Sequence, residues 1–315
     1  MKVISWSLIS SFMDRWTIIP HCPYKLYAIH IGKTHSTVPT EPMLYGSYFE
    51  TNVIGSTANH EAVLDLPRKA LTPKQVRENI IRINEGKEPI EGAKRINHVR
   101  IDQQIATAHK LAHSMNINIV ENYNTQLRIF KQIPNSDWIL RSTLDIFPTS
   151  VTYRNEHPVT GSKTNMCIID LKLTSDIDQR LSTGTIWSIG NTINATQLFL
   201  YAYAVKHIDF SLNNKINPNN LLEQVITPFI QDIANSNMLL LIYWVFEYKN
   251  PLLRNTMKEF MLDPTKEKEI QELIRKATIE LDAMEADGYP TMPSYYVCND
   301  CPVLECPVRE DVERL

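Results

Sequence analysis

The chain has 315 residues, 43% of them apolar and 21% charged, with a formal net charge of −3. That is the composition of an ordinary globular protein able to bury a full core, and it excludes a uniformly basic surface: a nucleic-acid partner has to be held in a local basic groove. The longest uninterrupted apolar run, 238–246, has nine residues, against the roughly 18 of a membrane span, so the expectation is a soluble protein with no membrane partner, cytoplasmic or in a host's cytoplasm.

Residues 1–13 carry one lysine and then Val3, Ile4, Trp6, Leu8, Ile9 and Phe12. They imitate a secretory signal, but the interspersed serines and the lack of a small-residue cleavage site argue against one. Further on, Ile101, Ile105, Ala108, Ala112 and Met115 recur at helical spacing and predict an amphipathic helix over 97–115 with a free polar face. Two β-rich segments, 120–133 and 138–151, flank the turn signal Pro134-Asn135-Ser136-Asp137 and predict an antiparallel pair with Asp145 in its second strand. A third strand is predicted over 166–173 and a helix over 196–205, and the run ending at Phe246 reads as a central strand covered on both faces. Asp263-Pro264 is a helix-start signal, and Ile270, Leu273, Ile274, Ala277, Leu281 and Met284 form one apolar face up to a glycine cap at Gly288. With no internal repeat, the expectation is an α/β fold with a mixed central sheet flanked by helices. It spans 1–315 as one domain, with a helical insertion at about 65–115 and a cysteine-bearing segment at 289–315.

The third strand places Asp170 and Lys172 two residues apart among apolar neighbours, so both project from one face. Charges in such a strand are either a buried structural pair or a site in which Asp170 binds a divalent cation and Lys172 handles the attacking water. Asp145, a second lone acid in an apolar β context, shifts the balance, because converging carboxylates repel unless a cation lies between them. Phosphodiester hydrolysis needs such a cation, and hard carboxylate ligands suit Mg2+ or Mn2+.

In this arrangement the chain resembles the RecB-type branch of the PD-(D/E)XK nucleases, whose restriction-endonuclease-like core runs from an acid or His on a helix, to an Asp on a hairpin strand, to an Asp/Glu-x-Lys strand, to a helix with Gln and Tyr four apart. Gly46-Ser47-Tyr48-Phe49-Glu50 matches the first element, Asp145 the second, Asp170 and Lys172 the third, and Gln197 with Tyr201 the fourth. Many members carry His where Glu50 stands, and a carboxylate is also a competent ligand for a hard cation. The resemblance implies a metal site of Glu50, Asp145 and Asp170, with Lys172 beside it. It further implies that Gln197 helps position the site and that Tyr201 lies near the nucleic-acid backbone. Read without it, Glu50 is a helix-surface acid and Gln197 with Tyr201 a semi-buried pair at i and i+4.

Three of the five cysteines form Cys298-x-x-Cys301-x-x-x-x-Cys306, a ligand spacing for zinc or an iron–sulfur cluster that is one thiolate short of a closed site. The same nuclease branch, including the AddB-type helicase nucleases and the CRISPR-associated adaptation nucleases, has members in which an N-terminal Cys and a C-terminal triplet hold a [4Fe-4S] cluster. The resemblance therefore implies Cys22 as the fourth ligand and a structural role for the cluster, with Zn2+ as the alternative. Cys167 reads as a small buried hydrophobe, and His109 with His113 as a pair facing solvent or DNA.

Candidate phosphate-binding cations are Arg68, Lys69, Lys74, Arg77, Lys94, Arg95 and Arg100, which otherwise are solvated helix faces. No pattern reads a base sequence and no Gly-x-x-x-x-Gly-Lys-Ser/Thr loop is present. The function expected is a sequence-nonspecific, metal-dependent DNA exonuclease acting at free ends, with any helicase or recombination protein a separate chain. The competing expectation is a catalytically inactive DNA-end-binding accessory protein.

Overall fold

A computed structural model of the chain describes residues 2–13, 22–34, 39–55, 63, 65–121, 123–178, 188–189, 192–193, 195–218, 222–229, 231, 233, 239–291, 303 and 306. In chain order these form β1 (Lys2–Ser5), α1 (Trp6–Met13), α2 (Pro23–Leu26, continued by a π-helical turn over Tyr27–Ile31), α3 (Glu41–Ile54), α4 (Pro73–Asn84) and α5 (Ile96–Ser114). There follow β2 (Thr125–Gln132), β3 (Trp138–Thr152), β4 (Thr164–Thr174), the short hairpin β5 (Ser188–Ile189) and β6 (Thr192–Ile193), α6 (Thr196–Lys206), α7 (Phe210–Ile216) and α8 (Leu222–Ile226). The last elements are β7 (Leu240–Glu247), β8 (Asn255–Met261) and α9 (Pro264–Ala286).

Six strands make one mixed sheet in the order β1-β3-β4-β7-β8, with β2 pairing to β3. β1 and β3 are parallel, as are β4 and β7, while β2–β3, β3–β4 and β7–β8 are antiparallel. Every residue of β7 is buried, because strand side chains alternate and both faces are covered. Leu241, Tyr243 and Val245 join the core under α1, α6 and α9, whereas Ile242, Trp244 and Phe246 join the core under α3 and α5. The mixed α/β architecture with helices on both faces of the sheet is the one expected from the sequence.

α9 shows how local chemistry sets element ends. The Asp263 side chain accepts from the Thr265 and Lys266 amides at 2.7 and 2.8 Å, and Pro264 takes the first helical turn, where its missing N–H costs nothing. At the other end Gly288 adopts a left-handed φ of +70°, so that the Gly288 amide donates to Glu285 O (3.0 Å) and the Tyr289 amide to Met284 O (2.7 Å), a Schellman termination. Tyr289 then packs on Tyr27, ring centroids 4.8 Å apart, while Lys2 pairs with Asp282 and Glu285 of α9, so the N-terminal elements meet the end of α9.

Two strands and one helix face differ from expectation. β1 is only four residues long and β8 has a half-exposed, non-alternating pattern, so neither carries the periodic signal that marks a strand. The polar face of α5 is not free: His98 and Gln104 are buried, and Gln104 Nε2 donates to the carbonyls of Glu247 (2.7 Å) and Arg254 (3.1 Å), closing the β7–β8 end. Among the described residues, no helix is long and apolar enough to cross a membrane.

Candidate active site

The sheet forks at the acids. The β3–β4 ladder runs from Thr152↔Thr164 to Ile146↔Ile169, through a register shift between Ile146 and Thr149, and stops. Beyond that point β3 continues with β2 and β1, while β4 continues with β7. Where a ladder ends inside a protein, its amides need other partners, and here a side chain supplies one: Asp145 Oδ2 accepts from the Leu171 amide at 2.8 Å. Asp145 and Asp170 therefore stand on the two arms of the fork, 8% and 1% exposed.

Lys172 Nζ lies 2.5 Å from Asp170 Oδ2, with a quarter of the lysine side chain still in water. The two form an ion pair at the buried Asp170 carboxylate, and the lysine pulls against the cost of that burial. From one side α3 brings Glu50, whose Oε1 accepts from Gln126 Nε2 of β2. From the other, α6 packs against β3, β4 and β7 and brings Gln197 and Tyr201. Gln197 Nε2 donates to Tyr201 Oη at 2.6 Å, which leaves the tyrosine hydroxyl hydrogen for another acceptor. Glu267 anchors this helix to α9 by accepting from Lys206 Nζ at 2.7 Å.

The electrostatics show that these groups form one system. Burial, then the neighbouring charges of Glu50 and Asp170, push the Asp145 carboxyl well above its ordinary range. Burial likewise raises Asp170, against the pull of Lys172. Burial alone would lower the Lys172 ammonium, yet Asp170, Asp145 and Glu50 together hold it above the usual lysine value. Tyr201 is raised by burial and then by Asp170 and Asp145, so it stays a phenol. The six positions singled out in the sequence are thus brought to one place.

Among the described residues, no group of three or more His, Cys, Asp or Glu side chains is placed so that it could hold a metal ion. The donor chemistry nonetheless fits a hard divalent cation: burial raises both the Asp145 and the Asp170 carboxyl, and the charges of Glu50 and Asp170 raise Asp145 further. The carboxylates that such a cation would have to draw together are Glu50, Asp145 and Asp170.

Two neighbours escape the sequence reading. Tyr243, at the β7 position paired with Asp170, is buried with its ring centroid 5.8 Å from Lys172 Nζ; its only sequence signal is a hydroxyl inside an apolar run. Gln126 has no signal, since a glutamine in a strand is usually a surface residue.

The fold occurs in a solved structure. A protein from Eubacterium rectale described as a candidate exonuclease superposes with a TM-score of 0.50 over 97% of this chain and 89% of its own, at 11% identity. The likeness is one of fold. The structure of SSO0001 matches over 96% of this chain and 95% of its own at 10% identity, and its TM-score of 0.28 carries no argument. No family model and no curated protein matches the chain.

Several candidate phosphate-binding cations are already engaged. Arg68 pairs with Asp65 and Glu91, Lys94 with Asp102, Arg95 with Glu41, and Arg100 donates to Lys249 O at 2.6 Å. These pairs are part-exposed and individually weak, so they compete with a phosphate without excluding one. His109 Nε2 donates to Asn52 O, 3.1 Å away, from an exposed face. Cys22, Cys167 and Cys306 are thiols, the first two buried, while Cys298 and Cys301 lie outside the described residues.

Proposed function

We propose that the chain is a divalent-metal-dependent deoxyribonuclease that digests DNA from free ends without reading its sequence. The observation that carries this is the fork: two buried acids on diverging strands, with a third carboxylate, Glu50, whose charge reaches them, beside a lysine that the acids keep protonated. A structural reading accounts for Asp170 paired with Lys172 and for Asp145 as the acceptor of the Leu171 amide, but it does not call for the further negative charge of Glu50 beside them. The fold shared with a protein described as a candidate exonuclease supports the reaction class.

When bound, Mg2+ or Mn2+ supplies Lewis-acid polarisation of the phosphate and a more acidic water. The chain's own residues do the rest. Asp145 and Asp170, with Glu50, hold the cation, and Lys172 Nζ is a donor that orients the attacking water and meets charge growing on the phosphate oxygens. The Tyr201 hydroxyl accepts from Gln197, which leaves its hydrogen for a phosphate oxygen of the nucleic-acid backbone. The test is degradation of end-labelled single- and double-stranded DNA, with and without Mg2+ or Mn2+, by wild type and Asp170→Ala. Metal-dependent digestion is expected in wild type only, and the label gives polarity. DNA bound by both proteins and left intact by both makes the chain a DNA-end-binding accessory protein instead.

For the cysteines, the same reading gives a [4Fe-4S] cluster held by Cys22, Cys298, Cys301 and Cys306. It is supported by the packing of Tyr27, which follows Cys22 on the same helical segment, against Tyr289, which precedes the cysteine triplet, and by the burial of Val303, between the last two of these cysteines. Joining residue 22 to residue 306 closes almost the whole chain into one loop, a structural role. Anaerobically purified protein is expected to absorb at ~400 nm and Cys22→Ser to lose that band; stoichiometric zinc without the band means that the thiolates hold zinc.

A further inference from the structure

Of the non-glycine residues with positive φ among the described residues, Lys33, Asn116, Asn135, Leu253 and Tyr289 lie in turns or loops, and Gln126, at +52°, lies inside a strand. A left-handed residue in a strand breaks pairing and is costly for side chains other than glycine, asparagine and aspartate, so surrounding structure must enforce it at a glutamine. The break falls opposite the site. Thr125 pairs with Ile146 and Leu127 with Leu144, which puts Gln126 across from Asp145, and that one pair is missing from the ladder. Released from the ladder and buried, the Gln126 side chain spans to α3, where its amide nitrogen donates to Glu50 Oε1.

From this geometry we propose that Gln126 is a positioning residue that fixes the Glu50 carboxylate as a ligand for the divalent cation. The inference rests on the metal-dependent reading of the site above. A neutral amide suits that task where a lysine or arginine does not: it orients the carboxylate and leaves in place the negative charge on which cation binding depends. The left-handed backbone has the same purpose, since an extended residue at this position would pair with β3 across from Asp145.

The test is Mn2+ affinity of the full-length protein, read from the loss of the free Mn2+ electron paramagnetic resonance signal, together with the melting temperature. Gln126→Gly, which takes the left-handed backbone without strain, is expected to melt no lower than wild type and to bind Mn2+ about 10- to 100-fold more weakly, the usual cost of losing a group that orients a metal ligand. Gln126→Asn keeps a buried amide and tolerates the backbone but is one methylene shorter, and it is expected to lose affinity too. In a Glu50→Ala protein, Gln126→Gly is expected to add nothing. Wild-type affinity in Gln126→Gly overturns the inference and leaves the metal site standing, as does an undiminished loss in a Glu50→Ala protein that still binds. If wild type itself binds no Mn2+, the metal reading fails and the inference with it.

Discussion

Asp145→Asn is expected to abolish metal-dependent DNA digestion and, in the metal-free protein, to raise stability by about 1–3 kcal/mol, the scale of an incompletely satisfied buried polar group. Wild type confines the carboxylates of Glu50, Asp145 and Asp170 against the single ammonium of Lys172, and Asp145 is nearly inaccessible to water. Asparagine removes one of the repelling charges while its carbonyl oxygen still accepts from the Leu171 amide, so the bond that closes the fork survives. The pH dependence has a definite sign. The folded-state Asp145 carboxyl is raised above its unfolded value, so wild type is fully relieved of the penalty below that value, near the ordinary 3.8, and loses stability as pH rises through the folded value. The gain from Asp145→Asn therefore vanishes in acid and grows towards neutral pH. Chemical denaturation with chelator present, from acid to neutral pH, measures it, and a variant less stable than wild type at neutral pH defeats the argument. Saturating Mn2+ is expected to reverse the order, because only wild type gains the full binding free energy.

Such inverse behaviour, less activity with more stability, is what separates a site from a core feature, and it bears on what was readable from the chain alone. Asp145, Asp170 and Lys172 were legible because charge inside an apolar strand has few inexpensive explanations. The long helices were legible from their apolar faces: Ile270, Leu273, Ile274, Ala277, Leu281 and Met284 are all buried on α9. What stayed hidden depends on partners distant in sequence. β1 is a strand only because Trp138–Arg141 lies beside it, and β8 only because β7 presents an edge to it. Gln126 is defined by a backbone angle and by a residue 76 positions away, neither of which composition or spacing encodes. The buried face of α5 was misread for a related reason: Gln104 is polar because two carbonyls at a strand end need a donor, a demand that appears only once the sheet is built.

Lys172→Met is expected to lose activity by about 10²- to 10⁴-fold, the range for a positioned proton-handling side chain, with a stability change opposite to that of Asp145→Asn. Removing the lysine leaves Asp170 and Asp145 buried against each other and against Glu50 without their cation. Breaking a buried pair in this way costs about 3–5 kcal/mol when both members are fully enclosed; with a quarter of Lys172 in water, roughly 2–4 kcal/mol is expected in the metal-free protein. Methionine keeps most of the alkyl length beside the Tyr243 ring, so the loss is of charge more than of packing. A divalent cation replaces what the mutation removes, so Mn2+ is expected to raise the melting temperature of Lys172→Met by more than it raises that of wild type, while activity stays lost. If Lys172 were only the partner of Asp170 in a structural pair, Mn2+ would restore neither stability nor activity. Thermal melts of the two proteins across a Mn2+ titration distinguish these cases, because a cation can substitute for the charge of Lys172 but not for the hydrogen bonds to water and phosphate proposed for it.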